Sequence, residues 1–272
     1  MSRRYTESAL RDIFSDALGL FSECLETDIC AENTALAFFT PDNGKEVYES
    51  FCRQYFPKYL EENYLQEGYF ESIAAQAFVD GQQNGILFRS DIDFLDSEVF
   101  YIFLHEISHL FCTRNETNGD SFFQKYCMGS GEEDGMINAG YAVWREAIAD
   151  IMASSVMSEG PTAKLSFLKR EVTSLYNSLS VSNPDSKKCM SLILAYIMSA
   201  AEVAGTEDWG TAERSICKVF SFPSTMMFIL KLVFQNLHEP PSWSITPEFI
   251  FMLGQAYLTL LSLLAFEEYF PI

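Results

Sequence analysis

Two imidazoles four residues apart fall on one face of a helix, where both can grip one cation, and residues 105 to 109 read His105-Glu106-Ile107-Ser108-His109. On a helix, residues i and i+4 share a face. Zinc accepts such nitrogen ligands, and a carboxylate one residue past the first His can reach a water at the metal as general base. The chain holds three His in all, so two of them at this spacing around a Glu form a specific signal. The plainer alternative is a pair of helix-surface His beside an ordinary Glu. The run just before, Ser97-Glu98-Val99-Phe100-Tyr101-Ile102-Phe103-Leu104, supports a helix, with Ser97 as its expected N-cap and an acid in the first turn.

A second stretch complements the first. Trp144-Arg145-Glu146-Ala147-Ile148-Ala149-Asp150-Ile151-Met152-Ala153 carries two carboxylates four apart in a helical run. A hydrolytic zinc needs three protein ligands and an open position, and two His with one Glu is a standard set. Glu146 is the candidate third ligand. Asp150, one turn on along the same face, can accept the outer ring N–H of a ligating His and hold its tautomer. A solvated helix face would also show acids at this spacing. The apolar neighbours Ala147, Ile148, Ala149, Ile151 and Met152 make it a poor one.

His105-Glu106-x-x-His109 followed by Glu146-x-x-x-Asp150 resembles the gluzincin class of zinc metallopeptidases, of which thermolysin is the familiar member. The run from Arg145 to Asp150 is similar to the third-ligand motif of that class. The resemblance implies His105, His109 and Glu146 as zinc ligands, Glu106 as general base, and Asp150 behind His105. A looser likeness is to the cytosolic ImmA/IrrE-type peptidases, in which a strand leads into the metal helix and a Glu-x-x-Ala helix follows. This chain departs from them at Ser108, where Gly is usual, and at Thr113, where some members place a further His. The likeness spans about residues 85–157, and nothing on either side is recognised. It also implies that Gly85 to Arg89 is a sheet edge aligning extended substrates through main-chain hydrogen bonds. An internal strand fits those residues equally well. In such enzymes a Tyr or a His stabilises the developing oxyanion. The candidates are Tyr126, Tyr141 and, far downstream, His238; each also reads as a packed aromatic or a polar loop residue.

Composition bounds the rest. The 272 residues are 48% hydrophobic with 24 Phe and 13 Tyr, enough to build a sizeable core in one large domain or two joined lobes. A formal net charge of −20 repels a phosphate backbone and an anionic bilayer, so neither nucleic acid nor membrane is an expected partner. A basic protein substrate would be drawn in, although acidity is also simply solubilising, and the peptide or protein substrate expected here follows from the metal motif. Seven Cys without a C-x-x-C pair suit free thiols in a reducing compartment, and Cys112 reads as a small core residue. The first residues show no apolar signal segment, so a cytoplasmic setting is expected. The uncharged run Phe249 to Phe266 touches the length of a membrane span. Its polar interruptions and acidic flanks read better as a buried helix.

Upstream of the metal motif, apolar spacing predicts a helix from Thr6 to about Glu26 and a strand over Thr34–Phe39 that ends in a turn at Pro41–Gly44. A further helix runs from Glu46 to Asn63, bent or broken at Pro57. The apolar run Ser72–Val79, the turn-forming Asp80–Gly85 and the strand Ile86–Arg89 read as a hairpin. Arg114 to Gly140, rich in Gly and polar residues, reads as a long loop at the rim of a cleft. Past a stop at Gly160-Pro161, helices are expected at about 162–179, 185–204, 210–220, 224–238 and 247–269.

These readings predict an α+β, mainly helical chain. A zincin-like lobe over 1–159 carries a small mixed or antiparallel sheet, and 160–272 forms an all-helical lobe. The expected function is hydrolysis of peptide bonds by a zinc-activated water with Glu106 as base. Two alternatives come from other classes. One is a zinc-containing regulatory or binding protein, of toxin or repressor-control type, without general proteolysis. The other is a helical scaffold in which the metal motif is accidental.

Overall fold

Thr6 starts the first helix by accepting the Ala9 N–H on its hydroxyl at 3.3 Å, and α1 (Glu7–Cys24) buries the stripe Leu10, Phe14, Ala17, Leu18 and Phe21. The computed structural model describes residues 4–62, 68–91, 93, 95–115, 122, 132–157 and 245–265, with a few isolated positions between 210 and 231. Tyr126, His238, the expected lobe boundary at 159–160 and nearly all of the helices expected between 162 and 238 lie outside the described residues. The chain is mainly helical with a small three-stranded mixed sheet, the class expected. It divides into two units, Met1–Arg114 and Asn115–Ile272.

In the first unit a short 3₁₀ turn leads into β1 (Thr34–Phe39). The expected single helix after it is two, α2 (Gly44–Tyr55) and α3 (Lys58–Glu62), because Pro57 has no N–H to continue the ladder. The short α4 (Tyr69–Ser72) precedes a hairpin of β2 (Ala75–Asp80) and β3 (Gln83–Arg89). Gly81, the first of its two loop residues, takes φ 57°, which a tight turn between right-twisted strands demands.

Strand order is β1-β3-β2, with β1 parallel and β2 antiparallel to β3. β3 is therefore the central strand, and the expectation that Gly85–Arg89 forms a substrate-aligning edge is wrong. β1 occupies that edge along its whole length, from Thr34 opposite Asn84 to Phe39 opposite Arg89. Burial of every residue from Asn84 to Phe88 is the mark of a strand covered on both faces.

Alternation along β3 builds two cores. Leu87 joins Phe39, Tyr48, Phe51, Phe56, Phe70 and Phe78 under α2. Gly85 lies on the same face, where a Cβ would come within 2.4 Å of the Phe56 ring. On the opposite face the Phe88 ring stacks on Phe103 of α5 (Asp96–Arg114) at 4.5 Å, and Phe103 meets Phe14 of α1 edge-on at 5.5 Å. The helix carrying the two His thus lies against the sheet on one side and α1 on the other.

In the second unit the described elements are α6 (Glu132–Val156) and α7 (Pro247–Ala265). Residues 132–140 are helical, although a loop was expected there. The reason is packing. A Cβ on Gly140 would fall 1.9 Å from the Ile250 carbonyl oxygen, and one on Gly254 would fall 1.8 Å from that of Met136. Only glycine lets two helix backbones approach this closely. Trp144, one turn past Gly140, sets its ring edge-on to Phe249 at 5.4 Å. The uncharged run from Phe249 is α7, which buries Phe249, Ile250, Leu253, Ala256 and Tyr257 and exposes Met252, Gln255 and Thr259. Among the described residues no helix is long and apolar enough to cross a membrane.

Candidate metal centre

α5 begins two residues before the position expected of a Ser97 cap. The Leu95 N–H donates to Glu98 Oε2 at 2.7 Å, so the acid at the third helical position closes the cap and Ser97 lies inside the first turn. Tyr5 donates its hydroxyl to the Asp96 carboxylate beside it. From there Val99, Phe103, Leu104, Ile107, Leu110 and Cys112 are all completely buried, on every side of the helix. Cys112 is the core residue it was read to be.

Polar residues on such a helix are buried with it. His105 and His109 are each 8% exposed, Glu106 is 7% and Ser108 is 0%. Taking such groups out of water is costly unless each finds a partner. Ser108 donates its hydroxyl to the Leu104 carbonyl at 2.7 Å, which is how a Ser is accommodated where Gly is usual in the ImmA/IrrE-type motif.

The two imidazoles turn the same nitrogen toward each other. Nε2 of His105 and Nε2 of His109 are 3.1 Å apart, with the rings nearly perpendicular at 86° and centroids 4.7 Å apart. Two nitrogens each about 2.05 Å from a tetrahedral zinc stand about 3.3 Å apart. The imidazole pair therefore already has the bite of a chelate.

Glu146 of α6 completes the group. One ligand atom from each of His105, His109 and Glu146 lies within 4.8 Å of the other two. These three residues could hold a metal ion. Two imidazoles and one carboxylate fit zinc and the neighbouring divalent transition metals, and they do not fit calcium or magnesium, which want oxygen ligands throughout.

The other expected site residues are placed as follows. Asp150, one turn past Glu146 on α6, is fully buried, and Glu106 is buried beside the His pair in sequence. Tyr141 is buried with its ring stacked on Phe122 at 6.4 Å. Five residues before Glu146, it sits about 140° around α6 from that carboxylate.

Two residues went unselected by sequence reasoning. Tyr101 is one turn before His105 on the ligand face, half-buried, with ring centroids 6.5 Å apart. Its i−4 spacing from His105 was the available signal. Arg145 places Nη2 3.8 Å from Glu146 Oε1. Comparison of the chain with protein-family models, with curated proteins and with solved structures finds no match.

Proposed function

We propose that this chain is a zinc-dependent peptidase of gluzincin-like chemistry, acting on peptide or protein substrates in a reducing, cytoplasmic compartment. The observation that carries the reading is the buried imidazole pair, 3.1 Å apart at Nε2, with Glu146 in the same ligand group. Zinc held there would polarise the scissile carbonyl and lower the pKa of the attacking water. Glu106 would take the proton from that water as the C–O bond forms and deliver it to the amine nitrogen as the C–N bond breaks. By the gluzincin resemblance, Asp150, one turn past Glu146 on α6, would accept the outer N–H of His105 once metal is bound and so keep Nε2 as the ligand atom. Tyr101, one turn before His105 on the same face of α5, is a further candidate to donate a hydrogen bond to the oxyanion.

The test is a peptide library presented to the zinc-loaded parent and to Glu106→Gln. The parent should cleave, and the variant should keep its metal while cleavage falls at least about a hundredfold. Equal cleavage by the two would overturn the mechanism.

One observation favours a second reading, a zinc-containing regulatory or binding protein. Tyr141, the described one of the three expected oxyanion donors, is stacked on Phe122, and its position lies about 140° around α6 from Glu146. Stoichiometric zinc together with no cleavage of any library sequence would establish that reading instead.

A further inference from the structure

Arg145 stands directly before the third candidate ligand, its guanidinium Nη2 3.8 Å from Glu146 Oε1. A carboxylate held by a guanidinium gives less of its charge to a second cation. The Arg145 side chain is 49% exposed and that of Glu146 29%, so the pair can open toward solvent. Resting on the metal-site reading above, we infer that Arg145 is a built-in competitor for the third ligand. It neutralises Glu146 while the site holds no metal and yields the carboxylate when a divalent cation arrives.

Two charges of different reach act on that cation. The chain's net charge of −20 draws it in from a distance. One guanidinium beside the ligand lowers the affinity at short range, so half-loading needs a free metal concentration about two- to fivefold higher. The peptidase chemistry proposed above has no step for Arg145, and competition for Glu146 gives this residue its role at the site.

Zinc affinity of the full chain, read by competition with a chromophoric chelator at low ionic strength, tests this. Arg145→Gln should bind zinc about two- to fivefold more tightly than the parent, the range an exposed ion pair accounts for. Arg145→Ala should do the same, and Arg145→Lys should stay close to the parent. At about 0.5 M salt the differences should vanish, because exposed charges are then screened. Equal or weaker binding by Arg145→Gln or Arg145→Ala, in a chain whose circular dichroism and melting curve match the parent's, overturns the inference. A parent that binds no zinc overturns the metal-site reading and the inference together. A parent that binds zinc with an affinity indifferent to residue 145 overturns the inference alone.

Discussion

Cys52 shows how far burial moves the chemistry of one side chain. Its thiol is completely buried in the aromatic cluster under α2, and loss of solvent pushes its pKa up to about 11, with a hydrogen bond from Tyr48 acting the other way. Cys24, by contrast, is exposed at the end of α1. Iodoacetamide at about pH 8 should therefore label Cys24 well before Cys52 or Cys112 in the native chain, as read by peptide mass mapping. Equal rates for Cys24 and Cys52 would contradict the buried assignment. Asp91 moves in the opposite direction. Arg89 donates from Nε to its Oδ1 at 2.7 Å, and this bond holds the carboxyl below its usual range. A carboxyl whose folded pKa lies below its unfolded value of about 3.9 adds stability that is complete above that value and is lost as pH falls through the folded pKa. Asp91→Asn should thus cost about 0.2–1 kcal/mol at neutral pH and nothing in strong acid, measured by thermal melts at both ends. At this scale the possible ligand group His105, His109 and Glu146 was legible, because the four-residue helical spacing of the His pair is written directly in the sequence and Glu146 sits in an otherwise apolar helical run. Arg145 was not, because consecutive helical residues do not ordinarily face each other and adjacency gave no sign of its ion pair with Glu146.

Individual helices and strands were legible where the pattern was local. The α1 stripe, the break at Pro57 and the Thr34–Phe39 strand all follow from neighbours a few residues apart. What failed depended on distant partners. β3 looked like an edge because the segment that covers it, β1, lies about fifty residues earlier, with Thr34 opposite Asn84. Gly140 looked like a loop residue because its reason for being glycine, the Ile250 carbonyl, is more than a hundred residues later. Two substitutions separate these meanings of glycine. Gly19 is exposed on α1 with nothing within 4 Å of its would-be Cβ, so Gly19→Ala should raise stability by about 0.5–1 kcal/mol. Gly254→Ala should lower it by about 1–3 kcal/mol, since no backbone carbonyl can move aside cheaply. Denaturant titration reads both, and a stabilising Gly254→Ala would contradict the close approach of α6 and α7.

For the molecule as a whole, the mainly helical α+β class was legible from the mixture of helical stripes with a few short apolar strands. The acidic composition says nothing of fold. Function stands or falls on whether the chain holds one divalent ion through His105, His109 and Glu146. Metal content per chain by elemental analysis, after zinc loading and desalting, measures this directly. One zinc per parent chain is expected, none in the His105→Ala/His109→Ala double variant, and markedly weakened retention in Glu146→Ala. A parent without zinc, or a double variant that holds as much as the parent, would contradict it.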